Sequence, residues 1–425
     1  MAECILNPAS QDVADFIYRF GSLQNNLRDP EQFPCVDYVS NDYAVFYTEL
    51  ENALPLSLER QPYYSIPSLF TLLDDSAMEA AGIVSALQTP ALSNMGSGVI
   101  IGIVDTGIDY TSPVFRKSDG TTRILGLWDQ TLPEDPSVLP PGVPEYYPMG
   151  GASYGTEFTH EEINEALTLE DPFSLVPSKD TDGHGTFLAG LAAGTAFPLQ
   201  NFTGAAPMAD LAIVKLKPAK KYLRDYYLIS EDTPAFQEND IMMGMDFAVR
   251  IANDRRIPLS LCLGIGSSQG AHIGKNPLSL YVDYISQYSL ISVSVAAGNE
   301  GAARHHYAGR LTERENQALA ELRVGNKEPG FTMEFWGEPP EIYNLSLQSP
   351  TGEILDISAS LGAVTQELSF VFVETRVKVN YVSIERQTGY TLVYFQFIQP
   401  VPGIWRIFVR GRDGQNVGFH MWLPV

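Results

Sequence analysis

The chain has 425 residues, 44% hydrophobic and 18% charged, with 51 acidic against 27 basic side chains and a formal net charge of −24. Such a length exceeds one ordinary core and points to two or three domains, and the composition is that of a folded chain rather than a disordered one. So acidic a surface repels phosphate backbones and anionic lipid, which argues against nucleic-acid and membrane-surface partners.

The opening MAECILNPASQDVADFIYRF lacks a basic segment followed by an apolar one, so it does not read as a signal peptide. No run reaches about 18 apolar residues, and no membrane-spanning helix is expected. Cys4, Cys35 and Cys262 are scattered and odd in number. They imply neither a disulfide framework nor a zinc cluster, and they suit a reducing location inside a cell. Cys262, within IPLSLCLGIG, reads as a small core residue.

In chain order, residues 1–88 form an opening α+β block. DFIYRFG and DYAVFYTEL read as short strands, and SIPSLFTLLDDSAMEAAGI as an extended entry followed by helix. A turn-rich piece, QTPALSNMGSG, leads into VIIGIVDTGID, a β-branched run suited to a parallel sheet buried on both faces. From there strands and helices alternate. ADLAIVKLK, PLSLCLGIG and LISVSVAAG read as buried strands, NDIMMGMDFAVRIAND and LSLYVDYISQYS as helices, the first amphipathic. Between them, 117–180 reads as a Pro- and Gly-rich insertion, followed in FTHEEINEAL by a helix with a capping box from Thr159 to Glu162. The α/β part is expected to span 89–302. Residues 303–425 are different. FTMEFWG, IYNLSLQSP, RVKVNYVSIE, TLVYFQFI and WRIFVRG alternate with period two between turns, the pattern of an antiparallel sandwich.

Three Gly-flanked polar residues stand out. Asp105 ends the strand of GIVDTGID, at the sheet edge where open α/β folds place their sites. His184 sits between Gly183 and Gly185 in TDGHGTFLAGLAAG, and Asn299 follows a strand in VSVAAGNEG. Singly, each has an ordinary reading: a cap, a structural histidine, a turn. Together, in the order Asp, His, Asn on one α/β sheet, they are specific. An amide held at Asn299 can donate to a developing oxyanion.

VDTGID, DGHGTFLAG and VAAGNEG resemble the aspartate, histidine and oxyanion-asparagine motifs of the subtilases, the subtilisin-like serine peptidases. GAAPMADLAIVKL resembles the strand after the histidine helix, and Leu263, Gly264, Ile265 and Gly266 resemble the edge that pairs with substrate backbone. The likeness covers about residues 95–301. The opening block, YSIPSLFTLLD, GNEGAARHHYAG and the β domain narrow it to Csp-type clostridial spore germination proteases. The resemblance implies a subtilisin-like parallel sheet with helices on both faces, an N-terminal prodomain acting as chaperone and inhibitor, and a jelly-roll insertion. It implies a serine endopeptidase that processes itself, here near Gln88 and Thr89, and that activates a cortex-lytic zymogen during germination in the cytoplasm or spore. Its partners would be protein substrate and its own prodomain. Asp105 would orient His184, which would move the nucleophile's proton, and Asn299 would bind the oxyanion.

The nucleophile is missing. The family's serine lies in a Gly-Thr-Ser-type motif, and the four Gly-Thr pairs here continue as GTT, GTE, GTF and GTA. Ser153 in GASYG fits a G-x-S-x-G pattern but lacks the strand before it and stands in the wrong order. The chain therefore reads as the N-terminal part of a peptidase, incomplete in its sheet and inactive alone until a missing C-terminal segment supplies the serine. The alternative is a pseudoprotease that binds peptides or regulates. No cofactor is expected, and no EF-hand-like spacing marks a metal site.

Overall fold

The computed structural model describes residues 6–19, 35–39, 42–72, 95–133, 154–195, 203–359 and 362–423. Gln88, Thr89 and Ser153 lie outside them. The N-terminal block has strands β1 (Val13–Arg19), β2 (Val36–Tyr38) and β3 (Tyr43–Glu49), the short helix α1 (Leu50–Ala53), and strand β4 (Leu69–Leu72). The first three strands form an antiparallel sheet ordered β1-β3-β2. β4 leaves this sheet and pairs elsewhere. Cys35 is disulfide-bonded, a bond that an odd number of scattered cysteines does not signal.

The α/β part contributes β5 (Ile100–Asp105), β6 (Ile124–Asp129), β7 (Thr156–Thr159), α2 (His160–Ala166), α3 (His184–Ala193), β8 (Asp210–Lys215) and α4 (Lys221–Tyr227). β9 (Phe236–Gln237), α5 (Glu238–Arg255), β10 (Leu259–Leu263), β11 (Ile265–Gly266), α6 (Pro277–Ser286) and β12 (Ile291–Val295) follow. Its sheet runs β12-β10-β5-β8-β6-β7, parallel throughout except for β7 against β6. Every residue of β5 and β6 is buried, as a sheet covered on both faces requires. β6 lies inside the stretch read as a Pro- and Gly-rich insertion. Its own residues, ILGLWD, are apolar, but the turn-formers around them dominate the local composition. The capping box is present: Thr159 Oγ1 accepts from Glu162 N, and the Glu162 carboxylate accepts from Thr159 N at 2.7 Å.

α5 departs from the amphipathic helix its sequence suggests. All residues from Glu238 to Val249 are buried. One side packs on β5, β8 and β10, and the other is roofed by Val13, Ile17, Tyr43, Val45 and Tyr47 of the N-terminal block, within one continuous core. That roof also seals charge. Lys220 Nζ bonds Asp15 Oδ1 at 2.5 Å and donates to the Val13 carbonyl, and each side chain of the pair is 1% exposed. Gln237 Nε2 donates to the other oxygen of Asp15 at 2.7 Å. The block is thus bound to the α/β part by a dry ion pair whose remaining valences are hydrogen-bonded.

β12, expected as a buried strand, is the edge of the sheet. Among the described residues nothing pairs with its outer side, and Val295 is 58% exposed. Beyond it β13 (His306–Leu311), β14 (Gln317–Val324), β15 (Gly330–Gly337), β16 (Tyr343–Gln348), β17 (Ile354–Ile357), β18 (Ala363–Ser369), β19 (Arg376–Val382), β20 (Thr391–Ile398), β21 (Gly403–Gly411) and β22 (Val417–Trp422) are all antiparallel. They make two sheets, β13-β22-β15-β20-β19-β18 and β14-β21-β16-β17, closed on one core that includes Phe335, Phe397, Trp405 and Ile407.

Breaking a dry ion pair by removing one partner strands a buried charge, at about 3–5 kcal/mol. Asp15→Ala should therefore lower the urea midpoint strongly, while Lys221→Ala, at the exposed pair with Asp225, should leave it within error. Comparable midpoints would contradict the assignment of Lys220–Asp15 as the seal.

Candidate active site

β5 delivers Asp105 to the C-terminal edge of the sheet with its side chain fully buried. His184 is the first residue of α3, which packs against β5. Its Nδ1 lies 2.7 Å from Asp105 Oδ1. A carboxylate only accepts, so the bond fixes the proton on Nδ1 and leaves Nε2 as the basic nitrogen. Two further bonds lock this geometry. Thr106 N donates to Asp105 Oδ1 at 2.7 Å, and Gly185 N donates to Thr106 Oγ1 at 2.8 Å, so the two motifs are stitched one residue along from each partner. A side chain at Gly185 would strike the Gly107 carbonyl, which explains the glycine after the histidine.

The turn before α3 is organised by Asp180. Its carboxylate accepts from Gly183 N and Thr186 N, both at 2.9 Å, and from Thr186 Oγ1 at 2.6 Å. Burial opposes its charge, but these bonds outweigh burial and hold the carboxyl below its usual range. Asp180 thereby caps the helix that Gly183, lacking a side chain, cannot cap. Neither Thr106 nor Asp180 stood out in the sequence, although both lie within the motif stretches VDTG and DTDGHG.

Leu263 ends β10, and Gly264 follows beside the pair. A Cβ at Gly264 would sit 3.3 Å from His184 Cε1, 3.4 Å from Asp105 Oδ2 and 2.8 Å from Leu188 Cδ2. Ile265 and Gly266 form β11, which pairs antiparallel with β4: Ile265 opposite Leu72, Gly266 opposite Thr71. On its other side β4 pairs with β9, Leu69 opposite Gln237 and Phe70 opposite Phe236. The edge beside His184 therefore holds an extended strand of the chain's own N-terminal block. Asn299 stands at the same end of the sheet. Ala296 N donates to the Leu263 carbonyl, Gly298 takes a left-handed φ of 94°, and Asn299 follows, exposed to solvent. Asp105, His184 and Gly264 are thus brought together, with Leu263, Ile265 and Gly266 next to Gly264 along the chain and Asn299 in a loop along the same edge. Among the described residues no group of three or more His, Cys, Asp or Glu suits a metal ion, and no helix is long and apolar enough to cross a membrane.

Residues 96–325 match the subtilase family, more than half of the chain. The chain belongs to that family. Its subtilase relatives include two subtilisin-like proteases of Arabidopsis thaliana. SBT3.6 is 28% identical over 180 residues, 40% of this chain and 21% of its own length. SBT2.1 is 32% identical over 135 residues, 28% of this chain and 15% of its own length. The chain thus spans about a fifth or less of these subtilases. The solved structure of the Clostridium perfringens CspB protease superposes with a TM-score of 0.65 at 26% identity, over 82% of this chain and 66% of that one. The fold is the subtilisin-like α/β sheet, carrying additional antiparallel sheets.

Gly264→Val would push a branched side chain against the His184 ring. Proton NMR of the imidazole should show His184 displaced, whereas Gly301→Ala, with open space around its Cβ position, should leave that signal unmoved. An unaffected His184 in Gly264→Val would mean the segment at Gly264 does not wall the pair.

Proposed function

We propose that this chain is the aspartate–histidine half of a serine endopeptidase that cleaves extended protein segments. The observation that carries this reading is the 2.7 Å bond between His184 Nδ1 and buried Asp105, set beside a strand edge already paired with extended backbone. Asp105 holds the imidazole tautomer and stabilises the imidazolium. His184 Nε2 takes the nucleophile's proton and returns it to the leaving amine. Asn299 donates its amide to the oxyanion, a contact whose loss costs about 10²–10³ in kcat. The nucleophile comes from a segment outside this sequence, one that adds strands to the open side of β12.

The N-terminal block acts as prodomain, and its β4 strand lies in the cleft as a substrate would. Self-processing belongs to this reading. The sequence suggests a cut near Gln88 and Thr89, but the register of β4 on β11, running toward Gly264, favours an earlier bond just past Leu72. The likeness to CspB protease supports a Csp-type role, the activation of a cortex-lytic zymogen during spore germination. The disulfide at Cys35 favours a compartment where such bonds persist over the reducing cytosol the sequence suggested.

A second reading, a pseudoprotease that binds or regulates peptides, is favoured by one observation: the cleft is filled by the chain's own strand. Peptidase assays separate the two. Residues 1–425 alone should turn over no peptide library, because His184 has no family serine to activate. Supplied with a serine-bearing continuation, the chain should cleave, Asn299→Ala should lower kcat by about 10²–10³, and mass spectrometry should find a new N-terminus just past residue 72. Robust turnover by 1–425 alone would overturn the assignment of the nucleophile, and silence of the extended chain would favour the pseudoprotease.

A further inference from the structure

The pairing of β4 with β9 and β11 covers four residues, Leu69 to Leu72. Recognition of the strand does not stop there. In an extended strand the N–H and C=O of one residue point to one side, and those of the next residue to the other. Thr71 faces Gly266 on the β11 side, and Phe70 faces Phe236 on the β9 side. One step further upstream, Leu69 points back to the β11 side, where that strand has already ended. The side chain of Gln269 takes its place: Gln269 Oε1 accepts from Leu69 N at 2.9 Å. One step further still, Ser68 points to the β9 side, beyond Gln237. There Glu238 N donates to the Ser68 carbonyl at 2.9 Å, and the Glu238 carboxylate accepts from Ser68 N at 3.3 Å. The next residue upstream is Pro67, which has no N–H to offer.

Both residues are also held by groups outside the strand. Glu238 is fully buried, and its other oxygen accepts from Leu278 N at 2.9 Å, at the start of α6. Gln269 is 9% exposed, and its own N–H bonds Ser267 Oγ at 3.2 Å. The neighbouring Gly270 N donates at 2.8 Å to Glu334, a fully buried carboxylate on β15 of the antiparallel domain. Glu334 also accepts from Tyr63 Oη and Trp336 Nε1, at 2.5 and 2.9 Å. The antiparallel domain therefore reaches the cleft through Glu334 and fixes the loop that presents Gln269.

We propose that Gln269 and Glu238 are specificity-determining residues, reading the backbone of any extended segment in this cleft at the upstream end of the strand pairing, at its first residue and at the one before it. The consequence is a rule for occupants. A segment must present free N–H groups at the positions held here by Ser68 and Leu69, so proline is excluded from both and tolerated one residue earlier. Glu334 is a positioning residue for this rule. The proposal rests on the reading of the cleft as a site for extended peptides, and it holds for an enzyme or a binding protein alike.

Turnover is therefore left out of the test. In intact 1–425, amide exchange at Leu69 should rise about tenfold or more in Gln269→Leu, remain protected in Gln269→Glu, which keeps an acceptor, and change less at Thr71. Glu334→Gln should raise Leu69 exchange without touching either strand pairing. For binding in trans, Leu69→Pro should release the resident strand. The vacated cleft should then bind a fluorescein-labelled peptide of residues 65–73. Proline at the position of Ser68 or Leu69 in that peptide should weaken binding about tenfold or more, and replacing its natural proline by alanine should not. Unchanged Leu69 exchange in Gln269→Leu, a resident strand still protected in Leu69→Pro, or equal binding of the proline peptides would each overturn the proposal. If Leu69→Pro does not fold, the exchange series on Gln269 decides. A vacated cleft that binds no peptide of either kind would instead refute the peptide-site reading beneath it.

Discussion

The strand Leu69–Leu72 is where the three parts of the molecule are made one. It belongs in sequence to the N-terminal block, hydrogen-bonds to β9 and β11 of the α/β part, and shares a core with the antiparallel domain. Tyr63, Tyr64, Ile66 and Leu69 pack there with Tyr222, Leu223 and Tyr226, and with Trp336, Leu392 and Tyr394. Backbone groups buried at such a junction must all be paired, since each orphan would cost about 1–3 kcal/mol. That constraint accounts for Gln237, Glu238 and Gln269 at its margins, polar residues in an otherwise aromatic and aliphatic setting. It also accounts for the sealed pair Asp15–Lys220 a short way off, which ties the same block to α4 and β9.

The chemistry sits at one end of this arrangement for a related reason. A parallel sheet covered on both faces leaves only the ends of its strands free to carry polar groups, and Asp105 is the last residue of β5. Burial would make an unpartnered carboxylate costly there, so its position is defensible only because His184 and Thr106 N bond it. The close approach of α3 that this needs depends on Gly185 lying over Gly107, and the close approach of the segment after β10 depends on Gly264. The glycines are not ornaments of the motifs. They set how near the histidine can come to its aspartate and how near the segment after β10 can come to both.

Much of this was legible in the sequence, and unevenly. Runs with an unbroken strand pattern, largely apolar in β5, β8 and β10 and alternating in β15 and β20, announce themselves by pattern alone. β6 did not, because ILGLWD is embedded in prolines and glycines that speak for loop. α5 carries polar residues at helical spacing and so reads as amphipathic, yet Glu238, Asn239, Asp240 and Asp246 are all buried. Their partners, Ser68, Asp15, Lys217 and Tyr281, come from far along the chain, and no local window contains them. Asp105 and His184, which the structure brings within 2.7 Å, stood out because the glycines near them are a local signature of close packing. Gln269 and Glu238 have no such signature. Their role is created by a strand of two to four residues crossing from another domain, and pairings that short leave no periodicity to read.

The proposed chemistry turns on one proton. If Asp105 and His184 form a general-base pair, the His184 imidazole must carry its hydrogen on Nδ1 and leave Nε2 basic. Nitrogen-15 NMR of the ring in the intact chain, assigned by comparison with His184→Gln, measures this directly. The Nδ1–H tautomer at neutral pH, lost or reversed in Asp105→Asn, is the result predicted. A proton on Nε2, or a ring indifferent to Asp105→Asn, would contradict it.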